Sequence, residues 1–381
     1  MTHQDAPPPN HPPGSYRLGS IGGVDVYVRA SWLLVAGLIA ILLAPRVEEA
    51  QPGLGGLKYV AGVAFAVLLY LSVLLHEMSH ALVAKHYGLP VRSISLQFLG
   101  GMTEIDGEAA TAGQEFKIAV VGPLTSLAVG IVALFLVPVV PDGLTRMAVQ
   151  GLAGANLVVG ILNLVPGLPL DGGRVLRAAV WQAAGNMHRG TIVAAWCGRA
   201  VAVAALLWPV AASTVFDTRP TLVDFALAAV VAGFLWSGAT SSMVSAHIRQ
   251  RLPSLRARPL ARRVVDVPDD LPVSEAVRRA QEASAGGIVL HAADGRLVGV
   301  VSEAALLATP EERRPWMPSS AVARSLTEGL VLPADIAGEE LVRAMSRTPA
   351  SEYVLVEPDG AVYGLLSTRD VDTAFEAGAR R

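Results

Sequence analysis

Six apolar, charge-poor stretches dominate this chain, and they restrict its first two thirds to a helical bundle that crosses a bilayer. They run over about Ala30–Pro45, Leu57–Leu75, Phe116–Val140, Arg146–Leu164, Arg199–Val215 and Leu222–Val244. A hydrocarbon core about 30 Å thick takes roughly 20 residues of helix at 1.5 Å each. Only a helix bonds all its peptide groups internally where lipid offers no partner. The composition agrees, with 52% hydrophobic and 16% charged residues and a mean hydropathy of +0.48, against about 25% charged in an ordinary soluble domain. The apolar excess lies between Ala30 and Met243, and the remainder reads as soluble protein.

Several classes drop out early. A net charge of −2 gives no electrostatic reason for nucleic-acid binding. The single cysteine, Cys197, cannot form an intrachain disulfide. Residues 1–16 are Pro-rich and polar, which predicts a disordered tail and not a cleavable signal peptide. Arg17–Val28 alternates loosely and predicts a short strand. Val91–Ile105 predicts a hairpin turning at Gly100-Gly101.

Six spans put both termini on one side. With both ends cytoplasmic, that face holds Arg17, Arg29, Lys85, Arg92, Lys117, Arg174, Arg177, Arg189, Arg249, Arg251, Arg256 and Arg258. The outer loops hold Arg46, Lys58, Arg146 and Arg219. The excess predicts cytoplasmic N- and C-termini.

The expected organisation is a membrane domain over residues 17–247, a basic linker over 248–263, and a soluble α/β pair over 264–325 and 326–381. The linker reads as a solvated tether that also suits anionic lipid. The pair is an internal repeat. Ile288–Ser302 matches Tyr353–Ser367, with Asp294-Gly295 aligned to Asp359-Gly360, Gly299 to Gly364 and Ser302 to Ser367. Each copy reads as helix, strand, Asp-Gly turn, strand, helix.

The second span runs into His76-Glu77-Met78-Ser79-His80. Residues four apart share a helix face, so His76 and His80 can bind one zinc ion, with Glu77 placed to take a proton from a water. Ionisable groups at the end of an apolar run are costly unless they serve a function. A catalytic zinc needs a third protein ligand and an open position. Asn163-Leu-Val-Pro166-Gly-Leu-Pro169-Leu-Asp171-Gly172-Gly173-Arg174 interrupts the chain after the fourth span. Asp171 could cap the helix over Gly172–Ala184, yet pairing with a two-histidine motif favours ligation. Depth agrees, because His76 lies about 27 Å along its helix, near the cytoplasmic end, where the fourth span also ends.

These paired motifs resemble those of the site-2 proteases, intramembrane zinc metalloproteases, over about Leu18–His247, and the repeat resembles a tandem CBS module. The resemblance implies one zinc per chain held by His76, His80 and Asp171, with Glu77 as general base. It implies that Asn163 holds substrate or the oxyanion, and that strand Val91–Gly101 offers an edge to an unwound substrate. It places Gly122-Pro123 near the site and makes a polar role for Ser126 doubtful, since the family often has Asn there. In the CBS pair, Asp370 of Ser367-Thr368-Arg369-Asp370 would take the ribose of an adenine nucleotide, whereas the first copy has Ala305 in its place. The expected partners are a membrane-protein substrate, such as an anti-sigma factor, and a second copy through the CBS pair. A catalytically silent scaffold that senses nucleotide, and a CBS-regulated transporter, are the competing readings. The retained Glu77 speaks against the first and the zinc constellation against the second.

Overall fold

The computed structural model describes residues 14–97, 100–217, 219–327 and 329–377. The chain divides into two compact units, residues 1–246 and 247–381. Most of the expected tail lies outside the described residues, but Ser15 and Tyr16 belong to the first strand.

In the first unit, β1 (Ser15–Ile21) and β2 (Val24–Arg29) form an antiparallel hairpin where a single strand was expected. Ile21 pairs with Val24, so the turn is Gly22-Gly23, at φ 59° and 71°. A two-residue turn of this hand needs positive φ at both positions, which glycine adopts without strain. The helices follow as α1 (Ser31–Ala50) and α2 (Leu57–His86). After a second hairpin, β3 (Val91–Gln97) and β4 (Gly100–Ile105), come α3 (Ala112–Leu136), α4 (Leu144–Asn163), α5 (Asp171–Ala184), α6 (Met187–Phe216) and α7 (Leu222–Arg251). Among the described residues, six of these helices, all but α5, are long and apolar enough to cross a membrane. The seam between α1 and α2 is built of small buried residues, with Ala36, Ala40 and Ala44 on one side and Gly62 and Ala66 on the other. Small residues let helix backbones approach where lipid supplies no hydrophobic driving force. Leu34, Phe135 and Leu222 face outward, at 71%, 76% and 85% exposure, as a lipid-facing surface requires. Side chains cap the starts of α3 and α6: Thr111 Oγ1 accepts from Gln114 N–H at 3.2 Å, and Asn186 Oδ1 from Arg189 N–H at 3.1 Å.

The four strands form one sheet in the order β1-β2-β3-β4. β3 is parallel to β2 and antiparallel to β4, so both its sides are paired. The edge expected at Val91–Gly101 is therefore not free along β3, and among the described residues the sheet's edges are β1 and β4, the latter opening at Gly100. Gly100 pairs with Gln97 and Gly101 with Leu96. The glycines thus open β4 rather than making the turn, which falls on residues 98 and 99, outside the described residues. Val24 and Ile94 of the sheet share a buried cluster with Met78 and Ala81 of α2, which docks the sheet on the turn that bears the two histidines.

The second unit opens with α8 (Ala257–Leu260) and β5 (Val264–Pro268), then α9 (Val273–Glu282), β6 (Gly287–His291), β7 (Leu297–Val301), α10 (Glu303–Ala308) and β8 (Ala323–Ser325). The second copy holds β9 (Val331–Pro333), α11 (Gly338–Arg347), β10 (Glu352–Val356), β11 (Val362–Ser367) and α12 (Thr368–Ala377). Two sheets result, β5-β6-β7-β8 and β11-β10-β9. The aligned Asp-Gly pairs sit in the β6–β7 and β10–β11 connections, with Gly295 and Gly360 at φ 82° and 86°.

The segment expected as a tether is largely built into this unit. Leu255 and Ala257 are buried in a core with Leu341, Tyr353 and Leu366. Arg258 donates to Asp335 at 2.7 Å and to both oxygens of Glu357 at 2.9 and 2.8 Å, and it lies over the Tyr363 ring at 4.4 Å. Charge density alone suggested solvent or lipid as its partner, but carboxylates about 80 to 100 residues later in the chain hold it instead.

Candidate functional site

α2 outruns the length needed for one crossing, and its last turns carry His76 and His80 inward against α3 and α5, and Glu77 against β4. His76 and His80 are 5% and 3% exposed. α5 starts after the Pro166–Leu170 turn and brings in Asp171. Leu170 is the N-cap residue, with no side-chain cap. Asp171 does not cap the helix. Its Oδ2 lies 3.1 Å from His76 Nε2 and 3.2 Å from His80 Nε2, and the two Nε2 atoms are 3.2 Å apart.

The orientation of each ring is set from behind. His80 Nδ1–H donates to the Ile118 carbonyl at 2.6 Å, which leaves Nε2 as the lone-pair nitrogen. His76 Nδ1 shares a 2.9 Å hydrogen bond with Ser126 Oγ, a buried hydroxyl. A polar role for Ser126 was doubted from the residue type, but one helical turn beyond Gly122 its shorter side chain still reaches the ring. Such outer partners fix a ligating histidine's tautomer and raise its basicity.

The set fits zinc. Donors about 2.0–2.1 Å from a tetrahedral zinc lie roughly 3.3 Å from one another, and the three observed edges agree within a few tenths of an ångström. Two imidazole nitrogens and a carboxylate oxygen, buried and converging, are a donor set zinc favours. Gly122 makes room for it. A Cβ there would lie 2.2 Å from His80 Nε2 and 2.6 Å from His76 Nε2.

Asp171 is held in place through its own helix. Arg174, one turn on, donates from Nε to Glu115 Oε1 at 3.0 Å, and Arg177 Nη2 donates to the same oxygen. Glu115 is 3% exposed. Two arginines on one carboxylate clamp α5 to the first turn of α3, and each charge answers another inside the protein.

A cavity of about 500 Å³ opens beside the cluster, lined among others by Tyr70, His76, Glu77, Gly101, Asn156, Asn163 and Asp171. Asn163, the last residue of α4, thus stands on the same cavity as the histidines. Asn156 is buried about two turns before it and donates to Ser72 Oγ at 3.1 Å and Leu152 O at 2.9 Å. Thr103 of β4 donates to Glu77 Oε2 at 2.6 Å.

Sequence reasoning missed Glu115, Asn156 and Thr103 and doubted the polar role of Ser126. Asn156 and Glu115 carried a signal, since a polar side chain within or opening an apolar helix is costly without a partner. Ser126 and Thr103 carried none, being small polar residues whose role depends on a contact.

Asp370 belongs to the second unit. Both its oxygens accept from Arg262, Nε to Oδ2 at 2.6 Å and Nη2 to Oδ1 at 2.8 Å. The Arg262 hydrogen bonds hold its carboxyl below the usual carboxylate range. In the first copy, Ser302 Oγ accepts from Ala305 N–H and caps α10, with no carboxylate at position 305.

Comparison with known proteins follows this division. The sequence model of peptidase family M50 matches residues 64–146 and 138–207, and that of the CBS domain matches residues 260–311. An inferred zinc metalloprotease of Synechocystis sp., sll0528, is 27% identical over 370 residues, 95% of this chain and 96% of the relative. An inferred zinc metalloprotease of Mycobacterium tuberculosis, Rip3, is 40% identical over 191 residues, 49% of either chain. Among solved structures, the site-2 protease from Methanocaldococcus jannaschii is 26% identical with a TM-score of 0.42, covering 60% of this chain and 95% of that one.

Proposed function

From a chain that belongs to peptidase family M50, the site-2 proteases, and that carries a CBS module, we propose a zinc-dependent endopeptidase that cleaves membrane-spanning or membrane-anchored regulatory proteins. The observation that carries this is the buried triad of His76, His80 and Asp171, its donors 3.1–3.2 Å apart, with Glu77 on the adjoining cavity inside a six-span bundle.

His76, His80 and Asp171 would hold the ion. Zinc, when bound, supplies a Lewis acid that brings the pKa of a water toward neutrality and polarises a carbonyl. Glu77 accepts the proton of the attacking water and returns it to the leaving amine. Asn163, on the same cavity, offers an amide N–H to the substrate carbonyl oxygen as charge develops there. A spanning substrate hides its peptide bonds in helical hydrogen bonds and must unwind first. The edge strand β4 offers main-chain partners to the unwound segment, and Gly100 and Gly101 of that strand line the cavity.

The protein is read as multi-pass with both termini in the cytoplasm, on the Lys and Arg distribution. The substrate class is a membrane-tethered regulator such as an anti-sigma factor. The CBS pair adjusts activity through an adenine nucleotide at Asp370 and supports homodimerisation. Metal analysis and proteolysis of three variants test the core. Asp171→Ala should lose zinc. Glu77→Gln should keep one zinc per chain and lose cleavage, because it removes a base but no ligand. Asp171→Ala that retains both zinc and activity would return Asp171 to a structural role, and His80→Ala with full zinc would end the assignment of the triad.

A further inference from the structure

Resting on the reading of Glu77 as the base, we propose that Thr103 is the positioning residue that aims it. Thr103 Oγ1 lies 2.6 Å from Glu77 Oε2 and 3.3 Å from the Glu77 backbone oxygen. A hydroxyl has one proton, and the nearer, charged acceptor takes it. Oε2 is thereby tied to the sheet.

The other side of the same carboxylate rests against Gly101, two residues earlier and on the same face of β4. A Cβ at 101 would stand 2.3 Å from Glu77 Cγ and 2.8 Å from Oε1. One strand therefore treats the two oxygens differently. Gly101, which lines the cavity together with Glu77, leaves room for Oε1, and Thr103 holds Oε2.

Rotation about the Glu77 side chain would otherwise exchange its oxygens and swing the base through several rotamers. A glutamate has three rotatable bonds, and misplacement by about 1 Å can cost on the order of 100-fold in rate. Threonine suits the task. Its branched Cβ is stiff at χ1 and favours a strand, so the hydroxyl is presented in one direction.

β4 is also an edge strand of the sheet. A peptide that pairs with this edge is placed by the same strand that fixes the base. Substrate register and base position are then set together, without a separate element to align them.

The test uses the full-length protein in its host membrane. Proteins whose processing stops in Glu77→Gln cells serve as reporters, and their processing is followed by pulse-chase in Thr103→Val and Thr103→Ser cells. Thr103→Val keeps the shape and removes the donor, and should slow processing roughly 10- to 100-fold. Thr103→Ser restores the donor and should return to within about threefold of the native rate. Purified Thr103→Val should hold one zinc per chain, and on a purified reporter its loss should fall on kcat with KM unchanged. The proposal is overturned by native-rate processing in Thr103→Val, by equal slowing in both variants, by loss of zinc, or by an effect confined to KM. If Glu77→Gln leaves every protein processed as before, the proteolytic reading itself fails and this proposal with it.

Discussion

A single methyl group at Gly122 should empty the metal centre. The Cβ of Gly122→Ala would sit 2.2 Å from His80 Nε2, 2.5 Å from His80 Cε1 and 2.6 Å from His76 Nε2. Ordinary contact begins near 3.4 Å, so imidazoles and helix must separate by roughly 1 Å. Neither side can yield freely. The Ile118 carbonyl of α3, the helix that carries Gly122, holds His80 Nδ1 at 2.6 Å, and Ser126 of the same helix holds His76 Nδ1 at 2.9 Å. Zinc tolerates about 0.2 Å in its ligand distances, so the displacement is several times too large. Disturbing only the outer partners of a zinc histidine costs about 10- to 100-fold in affinity. Displacing both rings should cost at least 100-fold, about 2.7 kcal/mol at 1.36 kcal/mol per decade. Competition of the purified protein with a chelating fluorophore would measure this, and thermal unfolding would show that the bundle persists. Gly122→Ala that binds one zinc with native affinity would refute the geometry.

Other outcomes follow from the same structure. Glu115→Gln removes the carboxylate between Arg174 and Arg177 and leaves uncompensated charge, which should destabilise by about 3 kcal/mol and loosen zinc by freeing α5; thermal unfolding and metal content report both. The Arg262–Asp370 pair, partly exposed, should contribute at most about 1 kcal/mol. Because the folded-state pKa of Asp370 lies below its ordinary 3.8, that contribution is complete above the ordinary value and fades as pH falls through the folded one, as Arg262→Ala and native protein compared by denaturation below pH 4 would show. If Asp370 takes a ribose, nucleotide must displace Arg262, so Arg262→Ala should bind adenine nucleotide more tightly in calorimetry and Asp370→Ala should not bind it; equal affinity in all three proteins would leave the pair a structural module. Cysteines placed at Ser15 and Ser351 should be labelled only from the cytoplasmic side, and labelling from outside intact cells would overturn the topology.

How far the sequence could be read depended on how local each feature was. The six spans, the His-Glu pair on one helical turn and the Asp-Gly turns of the repeat are written in neighbouring residues, and helices and turns form at each, although α6 begins at Met187 and not at Arg199. Asp171 was legible as a partner for His76 through the motif pairing, the family resemblance and its matching depth, whereas its 3.1 Å approach is a tertiary fact. Strand order was not legible at all. Nothing in Val91–Gln97 says that β2, which precedes two whole helices, will pair along it and move the open edge to β4. Gly100-Gly101 looked like a turn because glycine signals turns, whereas Gly101 serves a close approach to Glu77 from a distant helix. Arg258 and Arg262 looked solvated because their carboxylate partners lie much later in the chain.

Everything proposed for this chain turns on Glu77 driving cleavage of membrane proteins at a zinc site within the bundle. Mapping new protein termini across the membrane proteome, in cells with native protein and in cells with Glu77→Gln, tests it most directly. A small set of membrane-spanning or membrane-tethered proteins should be cut within or beside their apolar segments, with every such terminus lost in Glu77→Gln although that protein retains its zinc. Identical termini in both cells, or Glu77-dependent cuts confined to soluble proteins, would contradict it.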